Sequence, residues 1–208
     1  MLTIAIQAGG RSKRFEQDKA LVKFDGQPLI NHVVNRVAHI AQELLVITNG
    51  PQEYEFLGLP LINDILPGKG PLGGLYTALN AAQNPLVGVV ACDMPFVSTG
   101  LLIAARDLLL ECGADGVVPR SPKGLEPLHA IYRRETCLPA AREALDAGRL
   151  RVVSFFPQVH VRIMTIDEVA VHDPGFRAFI NINTAEDLSR AESLATESDD
   201  HRDDNNGG

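Results

Sequence analysis

A pair of glycines followed by cations is the first feature of this sequence that could do chemistry. Gly9 and Gly10 come soon after a short apolar run at residues 3–6, and Arg14 and Lys19 follow them. Glycines let backbone N–H groups turn toward an anion without a Cβ in the way, and cations neutralise that anion. No Gly-Lys-Ser/Thr follows at P-loop spacing, and no G-x-G-x-x-G is formed here. The stretch predicts a phosphate-binding loop, with a glycine turn beside a solvated basic loop as the alternative.

A carboxylate, Asp93, follows the continuous apolar run at residues 86–91, which is typical of a buried strand. Because Pro95 cannot extend a strand, the chain turns there and leaves the carboxylate at the edge of the sheet. A carboxylate beside a phosphate loop is suited to hold Mg²⁺, which prefers oxygen ligands and keeps several waters. Asp93 is therefore predicted to be a metal ligand, and the alternative is a carboxylate that caps the next helix.

A second glycine-rich segment occupies residues 67–74. The spacing of Gly68, Gly70 and Gly73 matches the dinucleotide-binding fingerprint, with Asp93 about 20 residues further on. An NAD-dependent oxidoreductase is therefore one alternative. Pro71 argues against it, because proline removes a backbone donor where the pyrophosphate would lie. We predict a compact glycine turn against which a flat base can lie, with a flexible loop as the alternative.

The other candidates are polar residues at the ends of predicted strands. Asp64 could contact a ribose or a base, or it could cap its own loop. Asn49 could contact a nucleotide, although its type is also common in turns. Asn181 and Asn183 fall on the same side of a predicted last strand, where their amides could orient a phosphate, a metal-bound water or a second substrate. Turn chemistry before the final helix would explain these two asparagines equally well.

Short apolar runs alternate along the chain with segments of helical periodicity. Strands are predicted at residues 3–6, 44–48, 59–62, 86–91, 116–119, 129–132, 158–163 and 179–183, and helices at 27–41, 53–57, 75–82, 99–112, 137–147 and from 184. Strands that are apolar throughout predict a three-layer α/β fold, with a mainly parallel sheet covered by helices on both faces. The carboxyl ends of parallel strands meet in one crevice, so the candidate residues are expected to share a cleft.

Composition limits the class of protein further. The 208 residues, 45% of them hydrophobic, suit one domain with a sizeable core. No basic face indicates nucleic acid, and the apolar runs are too short to span a bilayer. The first residues do not resemble a secretory signal, and three widely spaced cysteines fit neither a disulfide framework nor a zinc site. We expect a cytoplasmic protein with one domain over residues 1–194 and a disordered acidic tail over residues 195–208.

Four motifs occur in a fixed order along the chain: Ala8-Gly9-Gly10-Arg11-Ser12-Lys13-Arg14 with Asp18-Lys19-Ala20-Leu21, Gly70-Pro71-Leu72-Gly73-Gly74, Cys92-Asp93-Met94-Pro95-Phe96, and Asn181-Ile182-Asn183-Thr184-Ala185-Glu186-Asp187-Leu188. Over residues 2–194 the sequence resembles the molybdenum cofactor guanylyltransferases, the MobA family of nucleotidyltransferases with a Rossmann-like fold. The resemblance implies transfer of GMP from Mg-GTP to the phosphate of molybdopterin, with release of pyrophosphate. A cytidylyl- or sugar-nucleotidyltransferase is the alternative within this class, and a non-catalytic nucleotide-binding protein is one outside it.

The resemblance also implies a role for each matched residue. The nucleotide contacts would be Gln7, Ala8, Gly9, Gly10, Lys19, Asn49, Asp64, Gly70, Gly73 and Asp93. Lys19, Arg14 and Asp93 would be catalytic, Asp93 would bind Mg²⁺, and Asn181, Asn183 and Arg151 would face molybdopterin. Ile47 could equally align with the family's nucleotide-contacting asparagine in place of Asn49.

One position departs from the family pattern, because Glu16 stands where the family usually has a glycine before its Asp-Lys pair. A side chain and a negative charge are thereby added near the triphosphate.

GTP and molybdopterin are the expected partners, with transient contacts to other cofactor-biosynthesis proteins or apo-molybdoenzymes. We expect a monomer that binds neither nucleic acid nor membrane.

Overall fold

The structure of the protein is a computed structural model that describes residues 1–8 and 18–203, with side chains as far as residue 196. The predicted phosphate loop, including Gly9, Gly10, Arg14 and Glu16, lies outside the described residues. Where the described chain resumes, it forms a short 3-10 helix, Lys19–Leu21.

Strands and helices alternate through most of the described chain. The strands are β1 (Leu2–Gln7), β2 (Lys23–Phe24), β3 (Gln27–Pro28), β4 (Glu43–Thr48), β5 (Leu61–Asn63), β6 (Leu86–Ala91), β7 (Gly116–Ser121), β8 (Gly124–Leu125), β9 (His129–Arg133) and β10 (Val161–Met164). The helices are α1 (Leu29–Val37), α2 (Gly70–Ala81), α3 (Thr99–Cys112), α4 (Arg134–Asp146), α5 (Ile166–His172) and α6 (Ala185–Asp203), with further 3-10 helices at Pro51–Leu57, Val152–Gln158 and Arg177–Phe179.

One sheet organises the molecule, with its strands in the order β10-β7-β9-β6-β1-β4-β5 and β8 paired to β7. Strand β1 pairs in parallel with β4 and β6, β4 with β5, and β7 with β10. Only β8 and β9 among these strands run antiparallel to their neighbours. The mainly parallel sheet predicted from the sequence is confirmed, and β1, β4, β5 and β6 end at the same edge.

Helices cover both faces of the sheet, as predicted. Within β1, Ile4 and Ile6 belong to a buried cluster that includes residues of α1, α3 and α5, whereas Ala5 belongs to a second cluster with α2 and α4. Successive side chains of a strand point to opposite faces, so an apolar strand between two helical layers contributes to both cores. The three-layer α/β fold is confirmed.

The glycine-rich segment differs from the prediction, because α2 begins at Gly70 and includes residues 70–74 in its first turns. Pro71 is compatible with this position, since the first N–H groups of a helix have no intrahelical partner. A Cβ on Gly73 would lie 2.9 Å from Cβ of Lys69, and one on Gly74 would lie 2.8 Å from Oε1 of Gln7. The predicted compact glycine turn is wrong: these glycines allow close packing within a helix.

The strand predicted at residues 179–183 is also absent. The chain forms the 3-10 helix Arg177–Phe179 instead, because the carboxylate of Asp173 accepts hydrogen bonds from the backbone N–H groups of Arg177 (3.0 Å) and Ala178 (2.8 Å). Beyond it the backbone is irregular, with Ile182 N donating to Asp93 O at 3.0 Å. This contact holds the Asn181 and Asn183 segment beside the end of β6.

The sequence prediction missed several short elements (β2, β3, β8 and the 3-10 helices Lys19–Leu21 and Arg177–Phe179) and two longer ones, α5 and the 3-10 helix Val152–Gln158. Helix α5 has a complete capping box, since Thr165 Oγ1 accepts from Glu168 N and Glu168 accepts from Thr165 N. The Thr-x-x-Glu spacing is a sequence signal that could have identified it.

At the C-terminal end α6 extends through Asp203, past the proposed domain boundary at residue 194, and that boundary stays a prediction. No helix in the described part of the chain is long and apolar enough to cross a membrane.

Candidate active site

A cleft of about 300 Å³ opens where β1, β4, β5 and β6 end. Parallel strands that end together are the usual place for ligands in open α/β sheets. The cleft brings together seven of the predicted site residues: Gln7, Lys19, Asn49, Asp64, Gly70, Asp93 and Asn181. These residues lie in or beside different elements along the chain, so the sheet is what assembles them.

Among the described residues that line the cleft, Lys19 is the cation, and its ammonium group lies beside two side chains. Asp18 caps the 3-10 helix Lys19–Leu21 by accepting a hydrogen bond from Ala20 N at 3.0 Å. From this helix Lys19 Nζ donates to Asn183 Oδ1 and lies 3.8 Å from Asp93 Oδ2. The predicted catalytic pair, Lys19 and Asp93, is therefore in contact, and Asn183 belongs to the same constellation although it does not line the cleft.

The carboxylate of Asp93 is held where its charge is poorly solvated. Its side chain is 18% exposed. Burial raises the pKa of Asp93, while the nearby Lys19 ammonium acts in the opposite direction without cancelling the effect. A carboxylate in this state is stabilised by additional positive charge. The site is therefore electrostatically suited to a cation.

Three carboxylates of the described residues, those of Asp18, Asp64 and Asp93, line the cleft, and their oxygen atoms differ in availability. Both oxygens of Asp18 accept hydrogen bonds, from Ala20 N at 3.0 Å and from Tyr54 Oη at 2.6 Å. One oxygen of Asp64 accepts from two donors, whereas the side-chain neighbour of opposite charge that the described residues give Asp93 is Lys19, at 3.8 Å. No group of three or more His, Cys, Asp or Glu side chains that could hold a metal occurs among the described residues. Mg²⁺ is commonly held by one or two carboxylates together with substrate phosphates, and Asp93 fits that arrangement.

Asp64 follows β5 and is fixed by a neighbouring helix. Its Oδ1 accepts hydrogen bonds from Leu66 N at 3.1 Å and from Thr77 Oγ1 at 2.8 Å, and Thr77, on α2, is fully buried. Its Oδ2 lies 3.8 Å from the position that a Cβ on Gly73 would occupy. The carboxylate is thus anchored by one oxygen, which leaves the other to accept from a ribose hydroxyl or a base N–H.

Gln7 ends β1 at the floor of the cleft. Its side chain packs against the backbone of Gly74, and its Nε2 is buried with no hydrogen-bond partner in the described structure. A buried amide donor without a partner is costly, so a ligand acceptor at this point would be stabilised. Ala8, the next residue, does not line the cleft, but its N–H donates to Ile47 O at 2.8 Å and fixes the end of β1 against β4.

The other predicted site residues either do not line the cleft or fall outside the residues that the structure describes. Gly73 is buried within α2 and does not line the cleft. Arg151 is exposed and also does not line it, although the preceding carbonyl, Leu150 O, accepts from Leu72 N of α2 at 3.3 Å. Gly9, Gly10 and Arg14 are not among the described residues. A role for Arg151 on the acceptor side stays a prediction.

Sequence reasoning missed three residues that support the site. Asp18 lines the cleft beside Lys19, and its place before that lysine was the only signal that pointed to it. Thr77 and Tyr54 hold Asp64 and Asp18, respectively, through their hydroxyl groups. No sequence pattern singles out either residue, because nothing local marks the hydroxyl of Thr77 or Tyr54 as the partner of a distant carboxylate.

Comparison with solved structures places this architecture in a class. The structure of molybdopterin-guanine dinucleotide biosynthesis protein A from Archaeoglobus fulgidus superposes with a TM-score of 0.82 at 25% sequence identity, covering 94% of this chain and 99% of that one. A 4-diphosphocytidyl-2C-methyl-D-erythritol synthase from Anaerococcus prevotii shares the fold, with a TM-score of 0.71 at 12% identity and coverage of 94% and 96%. The fold and the cleft are those of a nucleotidyltransferase of the Rossmann-like class.

Sequence comparison makes the assignment narrower. A probable molybdenum cofactor guanylyltransferase from Carboxydothermus hydrogenoformans is 36% identical over 190 residues, which is 91% of this chain and 94% of the relative. Another from Pelotomaculum thermopropionicum is 36% identical over 198 residues, or 94% of each chain. Residues 4–161 match the MobA-like NTP transferase domain. The chain belongs to the MobA-like NTP transferase family, and the expected nucleotidyltransferase class is confirmed over the NAD-dependent oxidoreductase.

Proposed function

We propose that this protein transfers GMP from Mg-GTP to the phosphate of molybdopterin, forming molybdopterin guanine dinucleotide and pyrophosphate. The observation that supports it most directly is the contact of Lys19 with Asp93 at the end of the parallel strands, in a cleft open to a nucleotide. The names of the relatives and of the Archaeoglobus fulgidus structure agree with this substrate pair.

The reaction needs little more than positioning and charge. A phosphate oxygen of molybdopterin attacks the α-phosphorus of GTP, the bond from that phosphorus to the bridging oxygen breaks, and pyrophosphate leaves with the electron pair. The attacking phosphate is already ionised, so no general base is required. Transfer of this kind is accelerated mainly by orientation and by stabilisation of developing charge.

Six residues in or beside the cleft have parts in this scheme. Lys19 neutralises charge that develops on the α-phosphate, and Asn183 holds the ammonium in place. Asp93 would hold Mg²⁺, which when bound neutralises phosphate charge and orients the phosphates. Asp64 accepts from the nucleoside, and Gln7 donates from the floor of the cleft. Asn181, which lines the same cleft, faces the acceptor.

The same proposal extends to the setting of the reaction. We place the protein in the cytoplasm as a monomer, with transient contacts to other cofactor-biosynthesis proteins or to apo-molybdoenzymes. Glu197 and residues 199–204 give the C-terminal end an acidic character, which would suit a basic surface on such a partner.

The experiment is formation of the dinucleotide from molybdopterin and each of GTP, CTP and ATP, with and without Mg²⁺, followed by chromatography and release of pyrophosphate. We expect turnover with Mg-GTP. Asp93→Asn should lower it about a hundredfold or more, by analogy with removal of one transition-state stabiliser. Asp146→Asn is the matched control, because Asp146 is an exposed aspartate paired with Arg142 on the surface, and its activity should equal that of the wild type.

Different outcomes would point to different functions. A preference for CTP would make the protein a cytidylyltransferase. Nucleotide binding without release of pyrophosphate would indicate a non-catalytic binding protein.

A further inference from the structure

A buried tyrosine, Tyr54, contacts the carboxylate of Asp18, the residue that precedes Lys19. Tyr54 belongs to the 3-10 helix Pro51–Leu57, has no exposed surface and packs in the cluster of buried residues on the α1 side of the sheet. Its Oη donates a hydrogen bond of 2.6 Å to Oδ2 of Asp18. A hydroxyl group is not needed to fill an apolar core, so the polar contact requires its own explanation.

The other oxygen of Asp18 acts on the backbone that presents Lys19. Asp18 Oδ1 accepts from Ala20 N at 3.0 Å and so caps the 3-10 helix Lys19–Leu21. Lys19 is the first residue of that helix, and its ammonium reaches Asn183 and Asp93. A short helix of three residues has few bonds of its own, so its cap largely fixes its direction. Rotation of the Asp18 carboxylate would therefore displace Lys19.

The geometry points to Tyr54 as a positioning residue for the transfer reaction: through Asp18 it fixes the direction of Lys19 toward the reacting phosphate. This inference rests on the function proposed above, in which Lys19 stabilises charge on the α-phosphate. The hydrogen bond between Tyr54 and Asp18 also joins two walls of the cleft. One wall contains Asp18 and Lys19, and the other contains Thr48 and Asn49, which come directly before the helix of Tyr54.

The hydroxyl of Tyr54 keeps its proton under all working conditions. Burial, together with the hydrogen bond to Asp18, raises the pKa of Tyr54 far above its usual range. The group is thus a permanent donor to Asp18 and does not itself move a proton during turnover. Its contribution is orientation, which appears in kcat rather than in the binding of substrate.

The variant that tests this is Tyr54→Phe, which keeps the buried ring and removes only the donor. We expect kcat for GMP transfer to fall about tenfold, since small misplacements of a catalytic group cost up to about a hundredfold. KM for GTP should stay within about twofold. Tyr132→Phe is the matched control, because Tyr132 is also fully buried and its hydroxyl also donates a hydrogen bond, of 2.8 Å to Pro127 O. This bond does not involve Asp18 or Lys19.

A double-variant cycle distinguishes positioning from general destabilisation. Because Tyr54 acts through Asp18, Tyr54→Phe should cause little further loss of kcat in an Asp18→Ala background. Losses that multiply would show that Tyr54 acts by another route and would overturn the inference. Equal loss of kcat in Tyr54→Phe and Tyr132→Phe would also overturn it, since that would reflect only the removal of a buried hydroxyl.

A readout without turnover separates this inference from the proposed function. In protein labelled with ¹³C at lysine Cε, the Lys19 signal is assigned by its loss in Lys19→Arg. We expect that signal to shift or broaden in Tyr54→Phe and to be unchanged in Tyr132→Phe. An unchanged Lys19 signal in Tyr54→Phe would refute the positioning role even if the wild type transfers GMP. A shifted signal in a protein that transfers no GMP would support the positioning of Lys19 and refute the proposed reaction.

Discussion

Acidification should weaken the fold through one buried histidine, His129, the first residue of β9. Its ring has no exposed surface and packs edge-on against Phe179, with ring centroids 5.4 Å apart. Nε2 accepts a hydrogen bond from Ser98 N at 3.1 Å, so the neutral ring carries its proton on Nδ1, which has no partner in the described structure. Protonation of Nε2 would abolish this bond, and Ser98 caps α3 just after the Asp93 segment.

The size of the effect follows from the pKa. Burial lowers the pKa of His129 from 6.5 to about 4. As pH falls, the unfolded chain therefore binds a proton before the folded one does. The stability that His129 contributes is complete above its pKa in the unfolded chain. It is lost as pH falls from that pKa toward the lower pKa of the folded state. At about 1.4 kcal/mol for each unit of pKa, the loss between about pH 7.5 and about pH 5 amounts to roughly 2 kcal/mol.

The assay is urea unfolding of the wild type, His129→Gln and His39→Gln at about pH 7.5 and about pH 5. A glutamine at position 129 can still accept from Ser98 N but does not titrate. The free energy of unfolding of His129→Gln should therefore fall by roughly 2 kcal/mol less on acidification than that of the wild type, although the variant should be less stable at neutral pH. His39 is exposed, and its variant should behave as the wild type does. The same loss in His129→Gln as in the wild type would refute the reasoning.

Two further substitutions test the nucleoside side of the cleft. Gly74→Ala should weaken GTP binding in equilibrium titrations, because its Cβ would lie 2.8 Å from Gln7 Oε1 and displace that side chain. Gly100→Ala, also near the start of a helix but with Ser98 Oγ at 3.9 Å from the added Cβ, should bind as the wild type does. Thr77→Val should reduce GTP affinity about tenfold by releasing Asp64, and Thr77→Ser should restore it, since a lost hydrogen bond to a charged group costs about 1.5–3 kcal/mol. Equal affinity of the valine and serine variants would show that Asp64 does not need Thr77.

The glycine segment and the last predicted strand show where sequence reasoning reached its limit. Local pattern identified residues 70–74 as glycine-rich, but it did not show the close approach of Lys69 to Gly73 at the start of α2 or of Gln7, from β1, to Gly74. Likewise residues 179–183 look like a strand, yet Asp173 holds residues 177–179 in a 3-10 helix and the chain that follows is irregular. Both errors arise because a neighbouring side chain, and not local propensity, decided the backbone.

The sequence by itself determined the alternation of strands and helices, the parallel sheet, and the edge at which Asp93 and Lys19 would be found. These follow from hydrophobic periodicity and from residue types at strand ends, which are local properties. Only the tertiary structure decided which oxygen atoms remain available, with Asp18 held by Tyr54, Asp64 by Thr77, and Asp93 left for a cation. Hydrogen bonds between side chains distant in sequence depend on how the layers pack, and no local pattern records them.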